Sequence, residues 1–358
     1  MDFSFVVTAL AFFVAILLLL VLSHELGHFV AARLSGVKIH ELGFGYPPRL
    51  FSIKRGETEY SLNLLPLGGF VRLVGEEDPR EPGSLAGKSI PLRLLVLSAG
   101  SIMNALLPIL LFSASFAIPK EIVTGQVAVN KVTPGSPAEK AGIQANDIIL
   151  KINDRTIKNV REVSYNVHLN LGSEIRLVLR SGRFAQREVR LVPRWNPPPG
   201  EGPTGVMVSM ANVYLSEQAY PIWEAVPLGV LSTMDSLTLA KNEIMTWFVQ
   251  STAPQLAGPI GIAQMTGQVA ELGGIASLLD FAALLSINLA VLNMLPIPML
   301  DGGRLFFVVL EGLRGGKRIP PDKEGFVHMV GFALIMALVI IISYYDILRI
   351  VQGKSPFP

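Results

Sequence analysis

The chain has 358 residues, of which 50% are hydrophobic and 16% are charged, and its mean hydropathy is +0.48. This composition is too apolar for an ordinary soluble protein of that length, and it indicates membrane spans. A formal net charge of +2 excludes a strong electrostatic attraction to nucleic acid. Because there is no cysteine, disulfides and thiolate ligands are excluded, and any metal ion must be held by His, Asp or Glu.

The first hydrophobic run, Phe3 to Leu22, contains no charged residue. Because about 20 apolar residues suffice to cross a bilayer, the run predicts a transmembrane helix, which we expect to continue to about Leu34. We do not expect a cleavable signal peptide, because no basic residue precedes the run and no small-x-small cleavage site follows it.

Three further runs predict transmembrane helices, at Leu92–Ile118, Ala276–Leu300 and Phe326–Tyr345. A weaker candidate, Ala225–Val249, contains charged residues such as Asp235 and Lys241, which favour an amphipathic helix at the membrane interface. Lys and Arg are concentrated between the first two spans and between the last two, and none precedes the first span. By the positive-inside rule we expect both of these loops in the cytoplasm, and both termini and the long central segment outside.

His24, Glu25 and His28 form an H-E-x-x-H motif within the first predicted helix. Residues four apart share one face of a helix, so both imidazoles can bind one metal ion, and Glu25 can act on water at that metal. Two histidines with an open position are typical of a catalytic zinc site. The alternative is a chance match whose histidines are satisfied by neighbouring helices. Because unpaired His and Glu are costly inside a span, the metal site is favoured.

A third ligand is predicted at Asp301, in the stretch NMLPIPMLDGGR at the end of the third span. Pro296 and Pro298 cannot continue a regular helix, and this break lets Asp301 turn inward. Spans one and three run in the same direction across the membrane, so we expect the histidines and Asp301 at one depth. The alternative interpretation is a helix cap, or a carboxylate that reaches the interface from a helix end.

The loop from Glu41 to Gly75 contains short alternating runs that are separated by Pro47-Pro48, Gly56 and Gly68-Gly69. This pattern is typical of β-hairpins. An edge strand in this loop can pair with an extended substrate. A plain cytoplasmic connector is the alternative.

Four stretches stand out: HELGH in the first span, LNMLPIPMLDGG in the third, PLGGFVRLVGE (Pro66–Glu77) and GPIGIAQ (Gly258–Gln264), of which the paired HExxH and LDG motifs are the specific combination. Together they resemble the site-2 protease family, and in particular its bacterial RseP-like branch of regulated intramembrane zinc metalloproteases. The resemblance implies one zinc ion, a catalytic glutamate, groups that contact substrate, and a membrane-associated β-hairpin in the cytoplasmic loop. The implied residues are His24, His28 and Asp301 for zinc, Glu25 for catalysis, and Asn288 and Asn293 for substrate. The sequence departs from the family at Ser101, where proline is frequent, and this bears on span geometry only.

The segment Val127–Val163, between the second and third spans, resembles a PDZ domain. Its DIILKIN stretch is interpreted as a strand with Ile148 and Leu150 facing inward. In the family this domain is circularly permuted, so Gly205 and Val206 resemble the loop and strand that bind a peptide. A rigid plug without a ligand is the alternative.

These patterns predict a polytopic α-helical membrane protein with about four transmembrane helices, a membrane-associated β-hairpin loop and an inserted α+β PDZ domain. The expected domains are a membrane domain over 1–121, an extracytoplasmic PDZ domain over 122–212, and a segment over 213–358. This third segment contains the amphipathic stretch and the last two spans, which are expected to complete the zinc site.

The expected function is that of a zinc-dependent intramembrane endopeptidase of the bacterial cytoplasmic (inner) membrane, with its active site toward the cytoplasm. Its expected substrates are transmembrane segments of single-pass proteins, such as anti-sigma factors, which are cut after a first cleavage during transmembrane signalling. The other expected partners are the lipid bilayer and a peptide or C-terminus bound by the PDZ domain; no nucleic acid is expected. The alternative is a membrane-anchored zinc protease, or a PDZ-dependent quality-control factor, that acts on non-transmembrane proteins or signal-peptide remnants.

Overall fold

The computed structural model describes residues 3–76, 80–182, 185–251 and 257–353. The chain divides into two compact units, one comprising residues 1–115, 225–233 and 256–358, and the other comprising residues 116–224 and 234–255. Unit 2 is therefore inserted between the second and third predicted spans, and each unit is described separately below.

The elements of the described residues are numbered in chain order. The helices are α1 (Phe3–Leu34), α2 (Ile90–Ala117), α3 (Pro137–Lys140), α4 (Val160–Leu169), α5 (Ile222–Gln250), α6 (Pro259–Met294), α7 (Asp301–Leu313) and α8 (Pro321–Val351). The strands are β1 (Ile39–Arg55), β2 (Thr58–Leu73), β3 (Lys120–Val132), β4 (Ile148–Ile152), β5 (Arg155–Thr156), β6 (Ile175–Ser181), β7 (Ala185–Leu191) and β8 (Val206–Gln218).

Four of the described helices, α1, α2, α6 and α8, are long and apolar enough to cross a membrane. They correspond to the four spans that the hydrophobic runs predict. On α8, large apolar side chains such as Leu334 and Ile340 are 66% and 63% exposed, an arrangement that suits contact with lipid. Helix α5, which carries Asp235 and Lys241, is not one of these four helices. The four predicted spans are therefore accounted for in the described residues without a membrane crossing by α5.

Helix α6 ends earlier than the predicted third span, which extended to Leu300. The helix stops at Met294, and Asp301 is the first residue of α7 instead of the last residue of the span. Pro296 and Pro298 lie in the non-helical connection, because proline lacks an amide hydrogen and its ring clashes with the preceding turn. A second break occurs within α6 at Gly274, where φ is +61°, so the GPIGIAQ stretch begins a separate helical segment.

Glycines let the helices of unit 1 approach one another closely. A Cβ atom on Gly27 of α1 would overlap the main-chain oxygen of Ala99 on α2. The beginning of α6 is fixed by the buried carboxylate of Asp346 on α8, which accepts the amide hydrogens of Gly258 and Gly261, both at 2.9 Å. Small residues at helix contacts and hydrogen bonds between helices are the usual means of association within a membrane.

Strands β1 and β2 form the sheet of unit 1. Residues 39–44 pair on one side with 69–73 and on the other with 59–62, whereas residues 49–55 pair with 58–63. Within the described residues, the two outer edges of this sheet are therefore formed by 49–55 and 69–73. The arrangement is thus a small sheet of four paired segments rather than one simple hairpin.

Unit 2 contains an antiparallel sheet in the order β7-β6-β4-β3-β8, with β5 paired to β4. Its core includes Ile149, Ile152, Ile175 and Leu179, each at most 2% exposed. The prediction that Ile148 and Leu150 face inward is wrong, since both are only half-buried. A register irregularity between Ile149 and Lys151 interrupts the alternation that the prediction assumed.

The part of α5 that belongs to unit 2 is attached to the sheet domain of that unit through Asp235. Both oxygens of Asp235 accept hydrogen bonds from Arg155, at 2.5 and 2.9 Å, and one of them also accepts from the Tyr165 hydroxyl at 3.0 Å. Burial and the negative charge of Asp235 raise the pKa of Tyr165, so this hydroxyl keeps its proton. Asn242, two turns further along α5, donates to the main-chain oxygen of His168 at 2.7 Å.

Candidate metal centre

Helix α1 places His24 and His28 one turn apart on a single face. Their Nε2 atoms lie 3.1 Å from each other, and each side chain is 12% exposed. The spacing follows from helix geometry, in which residues i and i+4 are neighbours. Both imidazoles therefore present a ring nitrogen to the same small volume.

Asp301, the first residue of α7, completes this cluster. Its Oδ2 atom lies 3.0 Å from Nε2 of His24 and 3.2 Å from Nε2 of His28. The position is not that of a helix cap, because the capping residue is Leu300 and no side chain caps α7. His24, His28 and Asp301 form the one group of metal-binding type found in the described part of the chain, with ligand atoms within 4.8 Å of one another. The structure thus brings together residues that are 273 positions apart in sequence.

Helix α2 forms the wall behind the two histidines. Nδ1 of His28 lies 2.8 Å from the main-chain oxygen of Val96, and because a carbonyl can only accept, this nitrogen carries the proton. The Nε2 lone pair is then free for a metal ion. Asn104, which is fully buried, faces Nδ1 of His24 at 3.5 Å. Asn104 is not among the site residues predicted from the sequence, although an amide within an apolar span is itself a signal of function.

Glu25 lies next to this cluster, between α1 and the sheet of unit 1. A Cβ atom on Gly69 of β2 would lie 3.1 Å from Cγ of Glu25, so the absence of a side chain at Gly69 allows the close approach. Glu25 also lines a cavity of about 430 Å³ whose other walls are largely apolar, including Leu22, Phe44 and Phe51. The carboxylate is therefore placed between the histidines and a groove on the face of the sheet.

The other predicted site residues lie on elements that do not carry the cluster, namely on α6 and in unit 2. Asn288 is exposed and Asn293 is half-buried on α6, and within the described residues neither donates to His24, His28 or Asp301. Gly205 and Val206 belong to unit 2. Gly205 has φ of +78°, and a Cβ atom there would collide with Ser136, so this turn requires glycine.

Two imidazole nitrogens and one carboxylate oxygen make a donor set that suits a divalent metal such as zinc. The sequence matches the family model described as peptidase family M50 over residues 12–338, a range that includes the whole cluster. The chain belongs to peptidase family M50. This membership confirms the resemblance to the site-2 proteases. With four described helices of membrane-spanning length, the M50 peptidase is a multi-pass membrane protein.

Curated relatives agree with this assignment. The M50 peptidase is 35% identical over 355 residues to a protein of Clostridium acetobutylicum that carries the provisional name of a zinc metalloprotease, and the match covers 96% of this chain and 97% of the relative. It is 35% identical over 266 residues to the zinc metalloprotease RasP of Oceanobacillus iheyensis, covering 74% and 62% of the two chains. It is 29% identical over 422 residues to the RasP protein of Shouchella clausii, covering 94% and 98%.

Proposed function

We propose that this M50 peptidase is a zinc-dependent intramembrane endopeptidase in which His24, His28 and Asp301 hold the metal and Glu25 moves protons. The observation that carries the proposal is the convergence of the three ligand atoms within 4.8 Å, between α1, a helix of membrane-spanning length, and the first residue of α7. The names of the relatives, which include zinc metalloproteases, support the same choice of metal.

The residues present fit a zinc ion. The donors are of the types that zinc prefers, and three protein ligands leave room for a substrate or water, as in catalytic sites. Gly100 keeps the wall of α2 open, because a Cβ atom there would lie 2.6 Å from Nε2 of His24. When bound, zinc supplies a Lewis acid that polarises the scissile carbonyl and lowers the pKa of water to about 7.

Glu25 is suited to the proton transfers of peptide hydrolysis. It accepts a proton from the attacking water while the oxygen of that water bonds to the carbonyl carbon. It then delivers a proton to the leaving nitrogen as the C–N bond breaks, which regenerates the carboxylate. One water molecule is consumed, and a carboxyl group and an amine are released.

The sheet of unit 1 is the proposed holder of the substrate. A transmembrane helix keeps its peptide groups hydrogen-bonded internally, so a protease must first unwind it. The outer edge of residues 69–73 begins beside Glu25, and an unwound segment can add to this edge as a further strand. The apolar groove that Glu25 lines would then take side chains of the kind found in membrane segments. Asn288 and Asn293 are proposed as further substrate contacts near the end of α6.

The same sheet is proposed to dip into the membrane. Its exposed side chains include the large apolar residues Leu50, Phe51 and Ile53, which are 59%, 58% and 52% exposed. Patches of this kind on an otherwise ordered sheet are typical of contact with lipid or another apolar partner. The proposed location is the bacterial cytoplasmic membrane, with the metal site toward the cytoplasm, since Lys and Arg are concentrated in that loop.

Unit 2 is proposed to be an extracytoplasmic PDZ domain, covering about 122–212, that restricts access to the site. Among the described residues, β8 pairs with β3 along one side and has no strand on the other, so its outer edge, beginning at Val206, can accept a peptide. The proposed substrates are single-pass membrane proteins, such as anti-sigma factors, whose outer domains have been trimmed by a first protease. This role does not require a bound peptide, because a folded domain can exclude bulky substrates by size alone.

The test of the proposed function is a set of variants assayed for zinc content and for cleavage of a single-pass substrate in liposomes. Glu25→Gln should keep about one zinc per chain and lose cleavage by at least about 100-fold. His24→Ala, His28→Ala and Asp301→Asn should each lower the zinc content as well. Glu57→Gln is the matched control, because Glu57 is exposed and its side chain forms a surface ion pair with Lys38. Near-normal cleavage by Glu25→Gln would contradict the proposed role.

A further inference from the structure

The imidazole of His24 has two differently placed nitrogens. Nε2 faces Asp301 at 3.0 Å, whereas Nδ1 faces the side-chain amide of Asn104 on α2 at 3.5 Å. A neutral imidazole that gives its Nε2 lone pair to a metal carries its proton on Nδ1. That proton needs an acceptor, and metal-binding histidines almost always have one.

The amide of Asn104 is oriented with its nitrogen, and not its oxygen, toward His24. An amide nitrogen is only a donor, so this orientation would place two donors against each other when Nε2 holds a metal. At the same time Oδ1 of Asn104 is buried and has no hydrogen-bond partner among the described residues. The oxygen and nitrogen of an amide are distinguished by their hydrogen-bond network, and here the network favours the opposite assignment.

We propose that Asn104 is a positioning residue, which turns its amide so that Oδ1 accepts the Nδ1 proton of His24 and holds Nε2 toward the metal. Rotating the amide by half a turn exchanges the positions of its Nδ2 and Oδ1 atoms. The distance from Oδ1 to Nδ1 of His24 must then shorten by about 0.5 Å to become an ordinary hydrogen bond. One buried polar atom remains without a partner in either orientation. Only the turned amide, however, offers an acceptor to His24. This inference rests on the proposed zinc site.

Two neighbouring contacts support this assignment. The other histidine, His28, is held in the same way, since its Nδ1 donates to the main-chain oxygen of Val96 at 2.8 Å. Asn104 itself is fixed from the opposite side, because the hydroxyl of Ser286 on α6 donates to the main-chain oxygen of Asn104 at 2.7 Å. Helix α2 would therefore supply both histidines with an acceptor, from the main chain for one and from a side chain for the other.

The first test is nuclear magnetic resonance of zinc-loaded protein labelled with ¹⁵N-histidine. The chain contains five histidines, so the spectrum has few signals to assign. The proton on Nδ1 of His24 should be visible and protected from exchange with solvent. In Asn104→Leu this proton should lose its protection, whereas the Nδ1 proton of His28, bonded to Val96, should not change. In Asn104→Asp it should move further downfield, because a carboxylate is the stronger acceptor. An Nδ1 of His24 that carries no proton in the wild type would overturn the inference.

The second test is the dissociation constant for zinc, measured by competition with a chelator. Asn104→Leu should bind zinc about 10- to 100-fold more weakly, the range typical of lost acceptors behind metal ligands. Asn104→Asp presents an oxygen whichever way the group turns, so its affinity should be within about threefold of the wild type, or tighter. Ser101→Ala is the matched control, because the Ser101 hydroxyl is buried on α2 and has no hydrogen-bond partner in the part of the chain that the structure describes, so its loss should not change zinc affinity.

The outcomes separate the inference from the proposed function. Wild-type protein that does not bind zinc would refute the proposed function itself. Wild-type protein that binds zinc while Asn104→Leu binds it equally well would refute only the role of Asn104. Equal losses of affinity in Asn104→Leu and Asn104→Asp would indicate a purely structural role and would also refute it. If Asn104→Leu does not fold, the wild-type spectrum and the affinity of Asn104→Asp decide the question.

Discussion

Gly100 on α2 lies directly against His24 on α1, so that a Cβ atom at position 100 would be 2.6 Å from Nε2 of His24. The same atom would also collide with Nε2 of His28. Real Cβ atoms are not found so close to a ring nitrogen, and the His28 ring is held in place because its Nδ1 donates to the main-chain oxygen of Val96. The bare backbone at this position is thus required by the two proposed ligands and not only by helix packing.

Substitution of Gly100 should therefore impair the metal site in proportion to the size of the side chain. We expect Gly100→Ala to weaken zinc binding by at least about tenfold, since displaced ligands lose geometry, and Gly100→Val to abolish it. Zinc content after dialysis against a chelator measures the effect. Gly325→Ala is the control, because nothing lies within 4 Å of its Cβ position. Normal zinc content in Gly100→Val would mean that α2 does not pack against the histidines.

The buried carboxylate of Asp147 should make the stability of unit 2 depend on pH. Burial alone would raise its pKa, but hydrogen bonds from Ser181, the amide of Gln144 and Arg187 outweigh burial and lower the pKa. A group whose pKa is lower in the folded state stabilises the fold above its unfolded pKa of about 3.9, and this stabilisation is lost as the pH falls through the folded value. Asp147→Asn should thus lower stability at pH 7 by about 1 to 3 kcal/mol, with the difference shrinking below about pH 4.

Tryptophan fluorescence during urea unfolding of the full chain can measure this difference. All three tryptophans, Trp195, Trp223 and Trp247, lie in unit 2, so the signal reports on that unit. Asp154→Asn is the control, because Asp154 is 93% exposed and its ion pair with Arg176 should contribute little. A destabilisation by Asp147→Asn that is the same at pH 7 and pH 3 would contradict the expected linkage.

Most of the candidate metal site could be predicted from the sequence, because the placement of its side chains depends largely on local helix geometry. The spacing of His24 and His28 is a property of any helix, and the two prolines before Asp301 mark the break that turns its carboxylate inward. The structure places these three side chains together, as the direction of the spans led us to expect. The roles of Gly100 and Asn104 could not be predicted from the sequence, because neither residue forms a motif of fixed spacing with the histidines. Their importance arises only when α2 packs against α1.

The inward-facing residues and strand pairings that were not predicted correctly from the sequence also depend on tertiary contacts. The inward residues of β4 are Ile149 and Ile152, because an irregularity against β6 breaks the period of two. The sheet of unit 1 joins 39–44 to both 59–62 and 69–73, and a local turn signal cannot reveal such pairing.

The topology of the chain can be tested by cysteine labelling, since the native sequence has no cysteine. His24 lies near the C-terminal end of α1, and Asp301 follows the C-terminal end of α6. They can meet only if both helices cross in the same direction, which requires that α5 does not cross. We expect Lys241→Cys, an exposed position on α5, to react with an impermeant thiol reagent from outside. Lys317→Cys, between α7 and α8, should react only from the cytoplasm, and cytoplasmic labelling of Lys241→Cys would refute the four-span topology.

The gating role proposed for unit 2 can be tested by a deletion that the strand register makes possible. Strands β3 and β8 pair from Lys120 opposite Gln218 up to Thr124 opposite Tyr214. Joining Thr124 to Tyr214 through a two-residue Asn-Gly turn would therefore remove the domain and keep this ribbon, since such turns connect antiparallel strands without strain. We expect the deletion variant to cleave a substrate that still carries its folded outer domain, which the intact protein should reject.

A single substitution separates exclusion by size from control by a bound peptide. Val206→Asp places a charge at the start of the outer edge of β8, where a peptide would pair. Because Val206 also packs against the core of unit 2, tryptophan fluorescence must show that this variant is folded before its selectivity is compared. Leu215→Asp, on the same strand but within the ribbon, where Leu215 pairs with Val123 and is 63% exposed, is the matched control. If gating depends on size, Val206→Asp should still reject the untrimmed substrate, whereas under peptide control the selectivity should change. A deletion variant that binds zinc and cuts trimmed substrate, yet still rejects the untrimmed form, would show that unit 2 is not the gate.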